Sequence, residues 1–137
     1  MKVGIIQQHN GADHTDNVHR LQERIRQLAH EGAELIVLQE LHNGLYFCQT
    51  EDVALFDQAE TIPGPSTESF GALARELGVV IVLSLFEKRA TGLYHNTAVV
   101  LELSLIHIYI GVDDHLEHHL RVIGAATHRV VKFFEWL

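Results

Sequence analysis

A glutamate at the end of a predicted strand is the residue whose position most directly indicates chemistry. Glu40 comes two residues after the apolar run Leu35–Leu38, which is typical of a strand buried on both faces of a parallel sheet. Open α/β sheets place their ligand sites at the carboxyl ends of strands, where a carboxylate can act as a general base. The alternative is an ion-paired or solvated loop glutamate, because most carboxylates lie on the surface.

The loop after Glu40 carries a second set of candidates. Cys48 is a possible nucleophile with Glu40 or His42 as its base, since a thiol needs a nearby proton acceptor. A lone cysteine is, however, among the residue types most often simply buried. Tyr46 and Phe47 can line an apolar substrate-binding pocket or anchor the loop to the core.

Histidines near the carboxyl terminus have a spacing that two zinc ligands would need. His115 and His119 would share one face of a helix at i and i+4. The zinc-protease motif requires a glutamate directly after the first histidine, and Leu116 stands there instead. The same letters fit an amphipathic helix, and we predict no metal site. The inward positions of that helix would be Leu116, Leu120 and Ile123.

Apolar periodicity predicts the elements that position these residues. The order is strand, helix, strand, long loop, helix, strand and strand, an α/β fold whose last two strands pair antiparallel. Each helix has one apolar face, formed by Val18, Leu21, Ile25 and Leu28 in the first and by Phe70, Leu73, Ala74 and Leu77 in the second. The predicted bounds are strand 3–8, a helix from an N-cap at Asp16 to Gly32, strand 35–38, a loop 42–66 with a short helix near 51–56, a helix from an N-cap at Ser66 or Thr67 to Gly78, strand 79–86, turn 88–92 and strand 96–101.

Composition excludes several classes of protein. The 137 residues carry 10 Lys and Arg against 18 Asp and Glu, a net charge of −8, and 47% are hydrophobic. This profile is typical of a globular domain, and the acidic balance argues against a nucleic-acid surface. No apolar run approaches the roughly 20 residues of a membrane span. A single cysteine fits a reducing compartment. We therefore expect a cytoplasmic protein with no nucleic-acid or membrane partner.

The first 101 residues resemble the N-terminal part of the nitrilase, or carbon-nitrogen hydrolase, superfamily. Within it the resemblance is greatest to the N-carbamoylputrescine amidohydrolase subfamily, and the segment that most narrows the choice is LYFCQTED. The matching stretches are KVGIIQQ at 2–8, GAELIVLQELHN at 32–43, LYFCQTED at 45–52, IPGPST at 62–67, LGVVIVLSLFEKR at 77–89 and GLYHNTAVV at 92–100.

The resemblance implies a fold and a mechanism. The family folds as an α-β-β-α sandwich, which would be incomplete here, and uses a Glu general base, a Lys that stabilises the oxyanion and a Cys nucleophile. The Glu maps onto Glu40, whereas nothing after Leu101 matches the Lys or Cys segments. Cys48 is not the family nucleophile, because it lies in the loop after the Glu strand.

The resemblance also implies a substrate and an oligomeric state. The expected parent activity is hydrolysis of a small carbamoyl-amine, N-carbamoylputrescine, to putrescine in polyamine biosynthesis, without metal or organic cofactor. A β-ureidopropionase-like amidase and a non-catalytic binding or assembly module are the alternatives. Family members form homo-oligomers. We expect this chain to be inactive by itself and to self-associate or aggregate through exposed apolar surface.

Residues 103–137 differ in character from residues 1–102. They hold five of the 11 histidines and the only Trp. The hexapeptide LSLIHI at 103–108 resembles one reading-frame translation of a transposon end used to prepare sequencing libraries. This predicts a hydrolase segment at 1–102 followed by an unrelated, adapter-derived tail. The alternative is a natural strand at 103–110 followed by an amphipathic helix.

Overall fold

The computed structural model describes residues 1–46, 52–102, 106–110 and 121–123, and its elements follow the predicted order through residue 102. The elements are β1 (Val3–Ile6), α1 (His14–His30), β2 (Leu35–Leu38), a 3₁₀ helix (Val53–Gln58), α2 (Pro65–Leu77), β3 (Val80–Ala90), β4 (Leu93–Leu101), β5 (Ile106–Ile110) and β6 (Arg121–Ile123).

The strands form one mixed sheet in the order β1-β2-β3-β4-β5-β6. β1, β2 and β3 are parallel, because α1 and α2 provide the crossovers that parallel neighbours require. β4 pairs antiparallel with β3, as predicted, and β5 and β6 continue the sheet antiparallel. The sheet therefore changes from parallel to antiparallel at β3.

Both helices cover the same face of the sheet. The core joins alternate strand residues such as Ile36 and Leu83 to helix residues such as Leu21 and Phe70, each at most 1% exposed. The predicted apolar faces of both helices are confirmed. The expectation that the Leu35–Leu38 strand is buried on both faces is wrong, because only Ile36 and Leu38 are buried and the two alternating residues are half-buried. Among the residues that the structure describes, no second layer covers β1 and β2 on that side, and Phe56 of the 3₁₀ helix packs on the hairpin against Phe86 and Tyr94.

The uncovered side of the sheet is apolar, and we call it the open face. On β1, Val3 is 47% and Ile5 76% exposed. Pairing of Ile5 with Val37, of Val37 with Val82 and of Val82 with Val100 aligns an aliphatic row across four strands. The open face consists of Val3, Ile5, Leu35, Val37, Val80, Val82, Ala98 and Val100.

Both helices begin earlier than predicted. The N-cap of α1 is Asp13 and not Asp16, and the Asp13 carboxylate accepts a hydrogen bond of 3.1 Å from the Asp16 amide. The N-cap of α2 is Gly64 and not Ser66 or Thr67. Thr67 instead lies in the first turn, where its hydroxyl accepts from the Gly64 amide at 2.8 Å and donates to the Gly64 carbonyl at 2.9 Å.

Glycines mark the ends of α2. A Cβ at Gly64 would lie 2.1 Å from the Thr61 carbonyl oxygen, so this tight entry accepts no larger residue without a backbone shift. Gly78 has a left-handed backbone with φ of +68° and ends the helix, as predicted.

The β3–β4 hairpin is longer than predicted. Pairing extends to Ala90 and Leu93, so the predicted turn of residues 88–92 shortens to residues 91–92, and a bulge lies between Lys88 and Ala90. The apolar pattern does not predict this part of β3, because its residues are charged and its backbone pairing continues beyond the apolar core. In the later segment, residues 121–123 form β6, where the alternative interpretation placed the end of a helix.

Candidate active site

Glu40 lies where the sequence predicts, directly after an interior strand. β2 is flanked by β1 and β3, and the exposed side chain of Glu40 follows its carboxyl end. The Glu40 Oε1 atom accepts a hydrogen bond of 2.5 Å from the Asn96 side-chain amide. Asn96 lies on β4, two strands away in the sheet. The carboxylate is therefore tied to the sheet through one oxygen.

Ser84 connects this pair to the backbone of the next residue. The Ser84 hydroxyl lies on β3 and donates to Asn96 Oδ1 at 2.9 Å. The Ser84 hydroxyl oxygen also accepts a hydrogen bond of 3.2 Å from the Leu41 amide. The hydrogen bonds thus run from Leu41 through Ser84 and Asn96 back to Glu40, and we call this closed ring the Glu40 ring.

Leu41 holds an unusual backbone conformation inside this ring. Its φ is +47°, in the left-handed region that side chains rarely adopt. Such a conformation costs on the order of 1 kcal/mol and persists only where surrounding contacts enforce it. Here the buried side chain, 5% exposed, and the bond from its amide to Ser84 enforce it. The turn that presents Glu40 is therefore fixed by tertiary contacts.

His42 is a buried structural residue. Its Nδ1 lies 2.9 Å from the Ser84 carbonyl oxygen, and its ring meets Phe70 edge-on at 5.2 Å. Burial lowers the pKa of His42 from 6.5 to about 4, although the Ser84 carbonyl opposes that shift. The imidazole is therefore neutral at pH 7 and inaccessible to solvent, which places it poorly as a base for Cys48.

Polar side chains after β1 hold the same turn from the other side. The Asn10 amide donates to the carbonyls of His42, at 3.0 Å, and Gly44, at 2.7 Å. The Gln8 side chain donates to Asn10 Oδ1 at 2.8 Å, and its backbone amide donates to Gln39 at 2.6 Å. Gln8 and Asn10 are not among the site residues predicted from the sequence. A polar run directly after a parallel neighbour of the Glu strand is the signal that could have found them.

Aromatic rings lie on the apolar side of the site, where the role of Tyr46 and Phe47 stays a prediction. Tyr46 is 54% exposed, while Phe47 and Cys48 lie outside the described residues. Phe86 is the cross-strand partner of Asn96, and it clusters with two further rings. The ring centroids of Phe56, Phe86 and Tyr94 are 4.6–5.7 Å apart. A shallow depression lined partly by Leu41, Leu45, Gln58 and Phe86 lies beside Glu40.

Neither a metal-binding cluster nor a membrane-spanning helix occurs in the described part of the chain. Within 1–46, 52–102, 106–110 and 121–123, no three His, Cys, Asp or Glu residues are grouped so as to hold a metal ion. His115 and His119 lie outside these ranges. In the same part of the chain, no helix is long and apolar enough to cross a bilayer.

Comparison with known proteins identifies the family. A family model described as carbon-nitrogen hydrolase matches residues 2–135. The N-carbamoylputrescine amidase of Solanum lycopersicum is 41% identical over 80 residues, which are 57% of this chain and 27% of that protein. The citrullinase of Francisella tularensis subsp. tularensis is 31% identical over 101 residues, 73% of this chain and 35% of that protein.

A solved structure agrees with the fold. The carbon-nitrogen hydrolase from Helicobacter pylori G27 has a TM-score of 0.67 and 32% identity, over 82% of this chain and 40% of that chain. This likeness confirms the predicted incomplete nitrilase-type sandwich. The chain spans about a third of the length of the relatives it matches. With the sheet, the turn after β2 and the family match in agreement, this chain belongs to the carbon-nitrogen hydrolase family.

Proposed function

We propose that this chain supplies the general-base part of a carbon-nitrogen hydrolase site, with Glu40 as the base. The observation that carries the proposal is the Glu40 carboxylate at the carboxyl end of β2, held, within the described part of the chain, by Asn96 through Oε1. The Oε2 atom is then available to take a proton. The preferred substrate is N-carbamoylputrescine, in keeping with the name of the tomato relative.

The chemistry explains why a carboxylate is needed here. A thiol that attacks a urea-type carbonyl must lose its proton, and a base within hydrogen-bonding distance accepts it. The same base can return the proton to the departing nitrogen. The negative charge on the tetrahedral oxygen needs a cation, for which the family uses a Lys. Water then completes hydrolysis, and the net products are putrescine, carbon dioxide and ammonia.

We further propose that the 137-residue chain does not carry out this reaction alone. The family resemblance maps only the base onto this sequence, and Cys48 occupies a loop that the family does not use for its nucleophile. Tyr46 and Phe47 are proposed to contact the aliphatic part of the substrate, beside the Phe86 ring cluster. We propose a cytoplasmic enzyme of polyamine biosynthesis that uses no metal or organic cofactor.

Residues 103–137 are proposed to be an adapter-derived tail. The change of composition and the hexapeptide at 103–108 support this origin. The alternative is a natural continuation, which would account for the family match through residue 135 and for the pairing of β5 with β4. The two origins differ in the DNA, so the coding sequence across codons 102–109 decides between them.

The test is recovery of the genomic reading frame downstream of Leu101. We expect a basic Lys-bearing segment and then a Cys-Trp turn in place of the hexapeptide. An independent genomic clone that encodes the hexapeptide with a different DNA sequence would refute the adapter origin. The complete enzyme from that frame should release ammonia and putrescine from N-carbamoylputrescine.

Substitutions then test the role of Glu40. In the complete enzyme, Glu40→Gln should lower kcat by about 10²- to 10⁴-fold, because an amide cannot accept the proton. Glu23→Gln is the matched control, since Glu23 is exposed on α1, where its carboxylate lies 3.9 Å from the His19 ring. It should leave kcat unchanged. The 137-residue chain should show no hydrolysis, and Cys-dependent turnover by it would contradict the proposal.

A non-catalytic assembly module is the second candidate, favoured by the aliphatic open face. A module built for assembly should be monodisperse and should melt cooperatively as purified. The hydrolase interpretation instead predicts self-association of this chain through the open face.

A further inference from the structure

The hydrogen bonds of the Glu40 ring all point in one direction. The Leu41 amide can only donate, so the Ser84 oxygen accepts it, and the Ser84 hydroxyl proton is free to point at Asn96. Asn96 accepts that proton through Oδ1, which turns its NH₂ group towards Glu40. An amide NH₂ has no acceptor, so the Glu40 Oε1 atom must be the acceptor. The ring therefore selects one orientation of the carboxylate.

We propose that Asn96 is a positioning residue that fixes which oxygen of Glu40 acts as the base. It holds Oε1 and leaves Oε2 facing away from the ring, where it receives the proton. Ser84 sets the orientation of Asn96. This inference rests on the proposed role of Glu40 as general base, and it adds the residues that orient it.

Strand register explains how the three side chains meet. Phe86 pairs with Asn96 and Ser84 pairs with Ala98, so Ser84 and Asn96 are diagonal neighbours on the same side of the hairpin. β2 lies on the other side of β3 and delivers Glu40 to this point. Asn96 is exposed and stands apart from the apolar core. Its hydrogen bonds therefore serve the carboxylate more than they serve the stability of the sheet.

The experiment records the orientation of Glu40 in the 137-residue chain by NMR, in solution or by magic-angle spinning where the chain self-associates. In the parent chain we expect one Glu40 side-chain rotamer. We also expect one Asn96 NH₂ proton that is shifted downfield and slow to exchange. Asn96→Asp keeps the acceptor for Ser84 but loses the donor to Glu40. It should cause rotamer averaging of Glu40 while the Leu41 amide stays protected from exchange.

Ser84→Ala should remove the hydrogen bonds of the ring to the Leu41 amide and to Asn96 Oδ1. The Leu41 amide should exchange about fivefold faster, which is the effect of losing one ordinary hydrogen bond, and the Asn96 NH₂ signature should disappear. Asn43→Asp is the matched control, because it adds the same charge in the turn after Glu40 and breaks no bond of the ring. It should leave the Glu40 rotamer and the Leu41 exchange rate unchanged.

The outcomes separate this inference from the proposed function. Rotamer averaging of Glu40 in the parent chain, or an unchanged Glu40 in Asn96→Asp, would overturn the positioning role. In the complete enzyme, Asn96→Asp should lower kcat at least tenfold with KM little changed, since it misorients the base without removing substrate contacts. If Glu40→Gln were fully active while Asn96→Asp still caused rotamer averaging of Glu40, Glu40 would not be the general base. Asn96 would nevertheless orient its carboxylate.

Discussion

Ser84 organises three consecutive residues after β2. Its carbonyl holds the His42 ring, its hydroxyl accepts the Leu41 amide, and through Asn96 it reaches the Glu40 carboxylate. The left-handed Leu41 is possible because the residues on both sides of it are fixed. At the residue scale, the site is thus set by the side chain and the carbonyl of one residue on the neighbouring strand.

Acid should destabilise the fold through His42. Its pKa is about 4 in the folded chain against the ordinary value of 6.5 in the unfolded chain, so the unfolded chain binds more protons between these values. Stability from the neutral imidazole is therefore complete above about pH 6.5 and is lost as the pH falls towards 4. We expect the free energy of unfolding to fall by about 3 kcal/mol over this interval, measured by urea denaturation at several pH values.

The control for this prediction is His42→Gln, which cannot be protonated. Its free energy of unfolding should be lower at pH 7, since the Phe70 contact and the bond to Ser84 change. Between pH 6.5 and 4 its curve should be flatter than that of the parent. Parallel curves for both proteins would show that His42 is not the group responsible.

The helices are positioned by caps that lie outside their apolar patterns. Asp13 satisfies an amide of the first turn of α1, and Gly64 and Thr67 bond reciprocally at the start of α2. Each cap sets where the preceding loop ends and the helix begins. At the element scale, the caps end the loop after β1 and the connection that leads from β2 through the 3₁₀ helix to α2.

Loss of the α1 cap should be measurable. Asp13→Ala should lower the free energy of unfolding by about 1 kcal/mol, because the Asp16 amide loses its acceptor. Asp13→Ser retains an acceptor and should preserve most of the stability. Asp16→Ala removes only an exposed ion pair with Arg20 and should cost less than Asp13→Ala in urea denaturation. A larger loss of stability in Asp16→Ala than in Asp13→Ala would indicate that Asp16 is the N-cap.

The sequence predicts the elements and the position of Glu40 because both depend on local patterns. The helical periods of Leu21 and Phe70 and the apolar run of β2 suffice for that. The caps could not be chosen, since Asp13 and Asp16 are equally good by residue type. Ser84 and Asn96 could not be found at all, because their meeting depends on the register of β3 and β4. Register is a tertiary property that no short window of sequence contains.

On the scale of the whole molecule, the sheet has one face that the helices cover and one apolar face that is partly exposed to solvent. Helices bury the first, whereas the open face exposes Ile5 and its aliphatic neighbours. Contiguous apolar surface of this kind marks an interface. The Glu40 ring sits beside that face, since Ser84 alternates with the buried residues of β3 just as Val80 and Val82 do. We therefore expect covering of the face and completion of the site to go together.

Self-association of the purified chain should depend on the open face. Ile5→Lys places a charge at its most exposed residue and should reduce the fraction of oligomers and aggregates in sedimentation velocity. Val53→Lys is the control, because Val53 is 85% exposed on the 3₁₀ helix and is not one of the residues of the open face. It should leave association unchanged. A monodisperse parent chain would contradict the prediction and favour the assembly module.

The bulge between Lys88 and Ala90 separates the end of the hairpin from the site. Pairing is regular from Ile81 to Lys88, which includes Ser84 and its diagonal neighbour Asn96, and the irregular step comes only beyond it. Bulges absorb changes in strand length locally. Extra residues at the turn formed by Thr91 and Gly92 would thus be taken up before they reach the carboxylate. This tip can accept a label or an affinity peptide without displacing Glu40.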